Sequence, residues 1–217
     1  MVRYSRYFVI LLMLGLSSAI RAQEHSIDDA LNFIDSTRAT IKLRSDRFNE
    51  EIAKINKLNV LDVPSLDSVS IKKNKVQLKD FIEFLDVSRS LSRQLMKAAE
   101  DSVARINELL PKKKAKNLTD FLNAFESDQK AFNKYMESLS KVFSNVEKTL
   151  SFLQTCDYTI KDKKILFTKK TESDKYGAYF KELEEAQKKA AYSGADSQRA
   201  SIEAGDTFGK SYEALQQ

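Results

Sequence analysis

The chain has 217 residues, of which 42% are hydrophobic and 31% charged, with a formal net charge of +5. This length suits one domain with a real core. One Cys excludes an internal disulfide framework, one His excludes most histidine-based catalytic and metal sites, and five Gly with two Pro disfavour a strand-rich fold.

The first 22 residues stand apart. Arg3 and Arg6 precede a ten-residue apolar run over 7–16, and small residues follow. This is the layout of a secretory signal peptide, with cleavage expected after Ala19 or Ala22. The run is short for a membrane-spanning helix, which needs about 20 residues. Cleavage after Ala22 removes Arg3, Arg6 and Arg21 with no acid, leaving +2. Nucleic-acid binding then loses its electrostatic support. Membrane contact is expected only through the signal peptide before its removal, and the mature chain is expected in the periplasm or outside the cell. The same cleavage would leave His25 third in the mature chain, a position from which an amine, two amides and an imidazole can hold Cu(II). The plainer expectation there is an arm with no metal.

The spacing predicts a first helix from Ser26, which with Asp29 resembles a capping box. Its expected seam is Ile27, Leu31, Ile34, Arg38, Ile41, Ser45, Phe48, Ile52 and Ile55. The pattern fades near Leu58, and Pro64 punctuates a linker. A second helix begins between Ser65 and Asn74 and runs to Leu110. Its seam is small and polar in the middle, at Ser88, Ser92, Ala98, Ala99 and Ser102. Such residues allow close helix approach or leave room for large side chains opposite. Pro111 stops this helix, and 112–116 reads as a turn.

The stretch 117–156 has the strongest pattern. Leu118, Phe121, Phe125, Asp128, Phe132, Tyr135, Leu139, Val142, Val146, Thr149, Leu153 and Cys156 recur at steps of three and four. A second column, Leu122, Gln129, Met136, Phe143 and Leu150, runs beside them. This wide face suits a helix packed against two or more neighbours, about 60 Å long, with Asn117 as its cap. Asn117 also opens an Asn-Leu-Thr glycosylation sequon. Short connections favour an antiparallel up-down bundle. In that arrangement Arg38 and Asp128 lie at the same height and are expected to approach each other.

Residues 158–168 alternate β-branched and aromatic side chains around a polar turn, which predicts a β-hairpin. A shorter fourth helix is expected over 172–192, with Tyr176, Tyr179, Phe180, Leu183 and Ala186 on its apolar face. From Ser193 onward Gly, Ser and Asp dilute the pattern, so 193–217 reads as a flexible tail. The expected organisation is thus a signal peptide over 1–22, an all-α bundle domain over 23–192 and this tail.

The sequence offers no catalytic, cofactor-binding or metal-ligating residues. It lacks Glu-x-x-His motifs, Cys-x-x-Cys-His and a phosphate-binding Gly-rich loop. The Lys clusters at 72–75, 112–116 and 161–170 have acids nearby and read as solvated turns, with anionic surfaces as the alternative. Cys156 reads as a small residue at the end of a helix seam. The expected function is therefore non-enzymatic: a scaffold, adaptor or chaperone-like bundle working through an unidentified protein partner or self-association. The alternative is a carrier with a cavity for a small apolar ligand between the second and third helices.

Overall fold

The computed structural model describes residues 26–56, 61 and 66–217. The expected signal peptide, its cleavage sites, His25 and Pro64 lie outside the described residues. Four helices, α1 (Ser26–Asn56), α2 (Ser68–Asn107), α3 (Lys112–Leu153) and α4 (Lys170–Gln216), pack as an antiparallel up-down bundle. A hairpin of β1 (Tyr158–Lys161) and β2 (Lys164–Phe167) lies between α3 and α4.

The α2 start at Ser68 falls within the expected range, and two other boundaries differ from the sequence reading. The α2 cap is Asp67, whose Oδ1 accepts from the amides of Val69 and Ser70 at 3.0 Å. These bonds satisfy two of the free N–H groups at a helix start. A hydrogen bond from the Ser70 side chain, together with these amides, holds the Asp67 carboxyl below its usual range. α3 begins directly after Pro111, and the Ala115 amide donates to the Pro111 carbonyl at 2.9 Å. The expected turn 112–116 is therefore the first helical turn, and Asn117 lies inside the helix instead of capping it. Proline is well suited to a helix start because its fixed φ is helical and its missing N–H would have no partner there.

The second difference is larger. α4 runs for 47 residues and is the longest of the four helices. The stretch expected as a tail is helical to Gln216. Its buried positions are Ser193, Ser197, Ala204, Phe208, Ser211 and Leu215. They keep a helical spacing but are mostly small, so they add little hydrophobic contrast to the sequence.

The chain forms two compact units, and each takes a segment from all four helices. The first comprises the segment ending at Arg47, Ser90–Asn133 and Asp196–Gln217. The beginnings of α1 and α3 thus meet the ends of α2 and α4, as an antiparallel order requires. Phe121 is central to its core. Its ring lies 5.8 Å from Phe33 of α1 and 4.5 Å from Phe208 of α4, and it stacks on Phe125 at 6.5 Å. Leu95, Ala99 and Val103 of α2 complete this core. Lys114 Nζ donates to the Leu215 carbonyl at 2.7 Å, placing a cation at the negative end of α4.

The second unit comprises Phe48–Arg89 and Lys134–Ala195. Ile71, Leu78, Phe81 and Leu85 of α2 are buried there, as are Met136, Val142, Val146 and Leu150 of α3. Phe81 meets Phe143 edge-on at 4.8 Å. The hairpin pairs Tyr158 with Phe167 and Ile160 with Ile165. Asp162 and Lys163 turn it with φ of 50° and 58°, the left-handed pair of a two-residue type I′ turn. A two-stranded sheet is marginal alone. Here an aromatic series anchors it to α4: Tyr158 to Phe167 at 6.0 Å, Phe167 to Tyr176 at 5.2 Å, and Tyr176 to Phe180 at 4.9 Å. The Tyr158 hydroxyl also donates to the Leu66 carbonyl.

Candidate functional site

A cavity of about 610 Å³ opens in the second unit. α3 contributes Tyr135, Leu139, Val142, Phe143 and Val146, residues four, seven, eight and eleven apart from the first and so on one helix face. α4 contributes Phe180, Gln187, Ala190, Ala191 and Gly194, and Ile55, Asn56 and Leu61 complete the lining. Ile55, Val142, Val146 and Ala190 are buried, whereas Asn56, Phe180, Gln187 and Ala191 are exposed and form the rim.

Opposite ends of the scale of side-chain size share this lining: Tyr135, Leu139 and Phe143 of α3 with Ala190, Ala191 and Gly194 of α4. A Cβ built on Gly194 would stand 3.1 Å from Tyr135 Cε2, so the absence of a side chain is what lets the Tyr135 ring lie against α4. Phe48 holds the other side of that ring, edge-on at 5.9 Å. Burial raises the Tyr135 phenol above its usual pKa, so it is a neutral hydroxyl at physiological pH.

The cavity was expected between the second and third helices, but its described lining contains no α2 residue. The small middle of α2 has a different use. Ser92 is 1% exposed, and its hydroxyl donates to Gln129 Oε1 at 2.9 Å. The lining residues of α3 all belong to the predicted seam. Gln187, Ala190, Ala191 and Gly194 do not, and the only signal that could have found them is the small-residue spacing of α4.

The first unit holds a polar cluster around Gln129. Its Oε1 accepts from Ser92 and from Arg44 Nη1, and its Nε2 donates to Asp128 Oδ2 at 2.8 Å. Arg44 stacks on Phe132, with Cζ 4.4 Å from the ring centroid. Burial lowers the Arg44 guanidinium to about 10, against the attraction of Asp128. Burial raises the Asp128 carboxyl, opposed by Arg44 and by hydrogen bonds from Gln129 and Ser201. The expected approach of Arg38 to Asp128 is not found, because Arg38 is exposed and Thr37 takes the inward position. The α1 seam follows Ala30, Ile34, Thr37, Ile41, Arg44 and Phe48, one residue out of phase with the predicted Arg38 and Ser45. The basic partner near Asp128 is Arg44.

Cys156 is half-buried, and its thiol donates to the Phe152 carbonyl at 3.2 Å. Burial, with the nearby Glu172 carboxylate, holds this thiol above its usual pKa. Several Lys side chains have local acceptors: Lys75 at Gln154, Lys116 at Asp120 and Lys169 at Glu172. Among the described residues, no group of three or more His, Cys, Asp and Glu is placed to hold a metal ion, and no helix is long and apolar enough to cross a membrane. Comparison with protein families, with curated proteins and with solved structures finds no match.

Proposed function

We propose that this chain is an exported, non-enzymatic carrier of a small apolar molecule, which it holds in the cavity of its second unit. The observation that carries this reading is the cavity itself. Its volume of about 610 Å³ falls within the several hundred cubic ångströms usual for small-molecule sites. Its lining is mainly apolar with a few polar groups, the pattern that gives affinity from burial and orientation from hydrogen bonds. A reading based on protein–protein contact would draw its support from a continuous exposed apolar stripe. Among the described residues the exposed large apolar side chains are spread over several elements, with Leu43 on α1, Val69, Val76 and Val87 on one face of α2, Leu109 after it, Ile160 and Leu166 on the hairpin, and Phe180, Tyr192 and Ile202 on α4. Export rests on the charged, apolar and small-residue order of residues 1–22.

The test uses N-phenyl-1-naphthylamine, a neutral probe that fluoresces in apolar surroundings. The protein should bind it saturably, and Ala191→Trp should abolish binding while leaving the circular dichroism spectrum unchanged. Ala191 is exposed and lines the rim, so an indole there can enter the cavity without displacing core. Equal binding by the variant, or no binding by either protein, would sink the carrier reading.

A further inference from the structure

We infer that the outward face of the β-hairpin docks on an anionic lipid surface. This adds a membrane contact made by the folded chain to the one expected of the signal peptide, and it does not depend on what the cavity holds.

The strand register separates the two faces of the hairpin. Tyr158, Ile160, Ile165 and Phe167 share one face, which the aromatic series seats against α4. Thr159, Lys161, Lys164 and Leu166 share the other, and all four are exposed. Two choices at the tip run against the stability of a hairpin. Lys161 and Lys164 form a cross-strand pair, and like charges directly opposite each other are destabilising. Lys163 takes the second turn position with φ of 58°, where glycine is preferred because a side chain in the left-handed region is disfavoured. Both choices place an ammonium group at the end of a two-stranded sheet, and Asp162 is the one acid within 158–167. Local rules are broken in this way mainly where function demands it. An anionic surface supplies what the face lacks, because it screens the repulsion between Lys161 and Lys164 and attracts Lys163 as well.

Leu166 decides between a lipid surface and a soluble polyanion. It is 47% exposed on the same face as Lys161 and Lys164. A bilayer offers phosphate oxygens to the ammonium groups and an apolar layer to Leu166, with the lysine stems lying along the boundary. A soluble polyanion offers the charge alone. The hairpin and the cavity belong to the same unit, an arrangement that suits a carrier exchanging its cargo with a membrane.

The experiment is co-sedimentation of the exported chain, beginning after Ala22, with phosphatidylcholine vesicles that contain either no phosphatidylglycerol or about one third. Binding should require phosphatidylglycerol and should fall with added salt, as contacts between exposed charges do. Lys161→Gln combined with Lys164→Gln should weaken it roughly 25-fold, at about 5-fold per lysine near the surface. Lys163→Gly should weaken it about 5-fold and yet raise the unfolding temperature, because glycine relieves the turn. Leu166→Ser should weaken it severalfold with its salt dependence unchanged. Lys72→Gln combined with Lys73→Gln, at exposed positions of α2 in the same unit, should change it far less than the hairpin pair. No binding to phosphatidylglycerol vesicles would overturn the inference. Equal losses from the α2 pair and the hairpin pair would overturn it too, because net charge would then explain the binding. If Leu166→Ser binds vesicles as the wild type does, and the hairpin lysine variants lose heparin and vesicles alike, the face belongs to soluble polyanions and the lipid docking is overturned. Each of these results leaves the carrier reading standing, since that reading is tested by the fluorescent probe.

Discussion

Gln129 shows how one side chain can decide the energetics of a buried polar cluster. It is 0% exposed and uses both ends of its amide, accepting from Ser92 and Arg44 and donating to Asp128. Gln129→Leu would keep a similar volume while leaving three polar groups without this partner. A buried polar group left unsatisfied costs about 1–3 kcal/mol, and a charged one more. The variant should therefore show a urea midpoint well below wild type, and adding Ser92→Ala should restore part of the loss, because replacing both partners of a hydrogen bond is far milder than replacing one. Asp128 makes a separate, pH-dependent prediction. Burial raises its carboxyl above the usual 3.8, so the native state retains this proton to higher pH than the unfolded chain does. Its favourable linkage is complete below 3.8 and is lost as pH rises through the folded-state value. Asp128→Asn should flatten that fall. Urea titrations of both proteins at several pH values above 3.8 read this directly, and identical slopes would refute the assignment to Asp128.

At the scale of elements, α4 separates what patterning shows from what it hides. The α3 seam is legible because large apolar residues mark it at every turn, and Asp128 and Gln129 stand out against that background. On α1, the residues Ile34, Ile41 and Phe48 belong to two possible seams, one through Arg38 and Ser45 and one through Thr37 and Arg44. Their spacing satisfies both, so only the neighbours decide the phase. On α4 the buried stripe is largely Ala and Ser, and four Gly interrupt the sequence, so low hydrophobic contrast resembles a tail. The cavity is illegible for a related reason: its described α4 wall includes Ala190, Ala191 and Gly194, small residues that periodicity does not report. Glycine substitutions test this account. Nothing stands within 4 Å of a Cβ built on Gly205, so Gly205→Ala should stabilise by about 1 kcal/mol, the difference in helix propensity. Gly194→Ala has the same intrinsic gain but brings its methyl to 3.1 Å from the Tyr135 ring. It should be neutral or destabilising. Equal gains at both positions in thermal unfolding would mean that the Tyr135 contact places no constraint on α4.

For the molecule as a whole, the division of every helix between two cores makes the end of the chain structurally necessary. Asp196–Gln217 belongs to the first unit, where Ala204, Phe208 and Leu215 join the core around Phe121. Losing Phe208 alone removes a ring 4.5 Å from Phe121, and large-to-small changes of a buried Phe typically cost about 3–5 kcal/mol. Ending the chain at Ala195 removes that ring, Leu215 and the acceptor of Lys114 together. The second unit keeps its own buried set, including Leu78, Met136, Leu150 and Leu183. Hydrogen exchange should then divide the two units. In the shortened protein, peptides from 90–107 and 112–133 should lose protection sharply, while those from 68–89 and 134–153 should retain much more of theirs. A flexible tail would predict no change in either set. Uniform loss of protection would instead mean that the two cores unfold as one cooperative body, with the helices shared between them transmitting the failure along the whole chain.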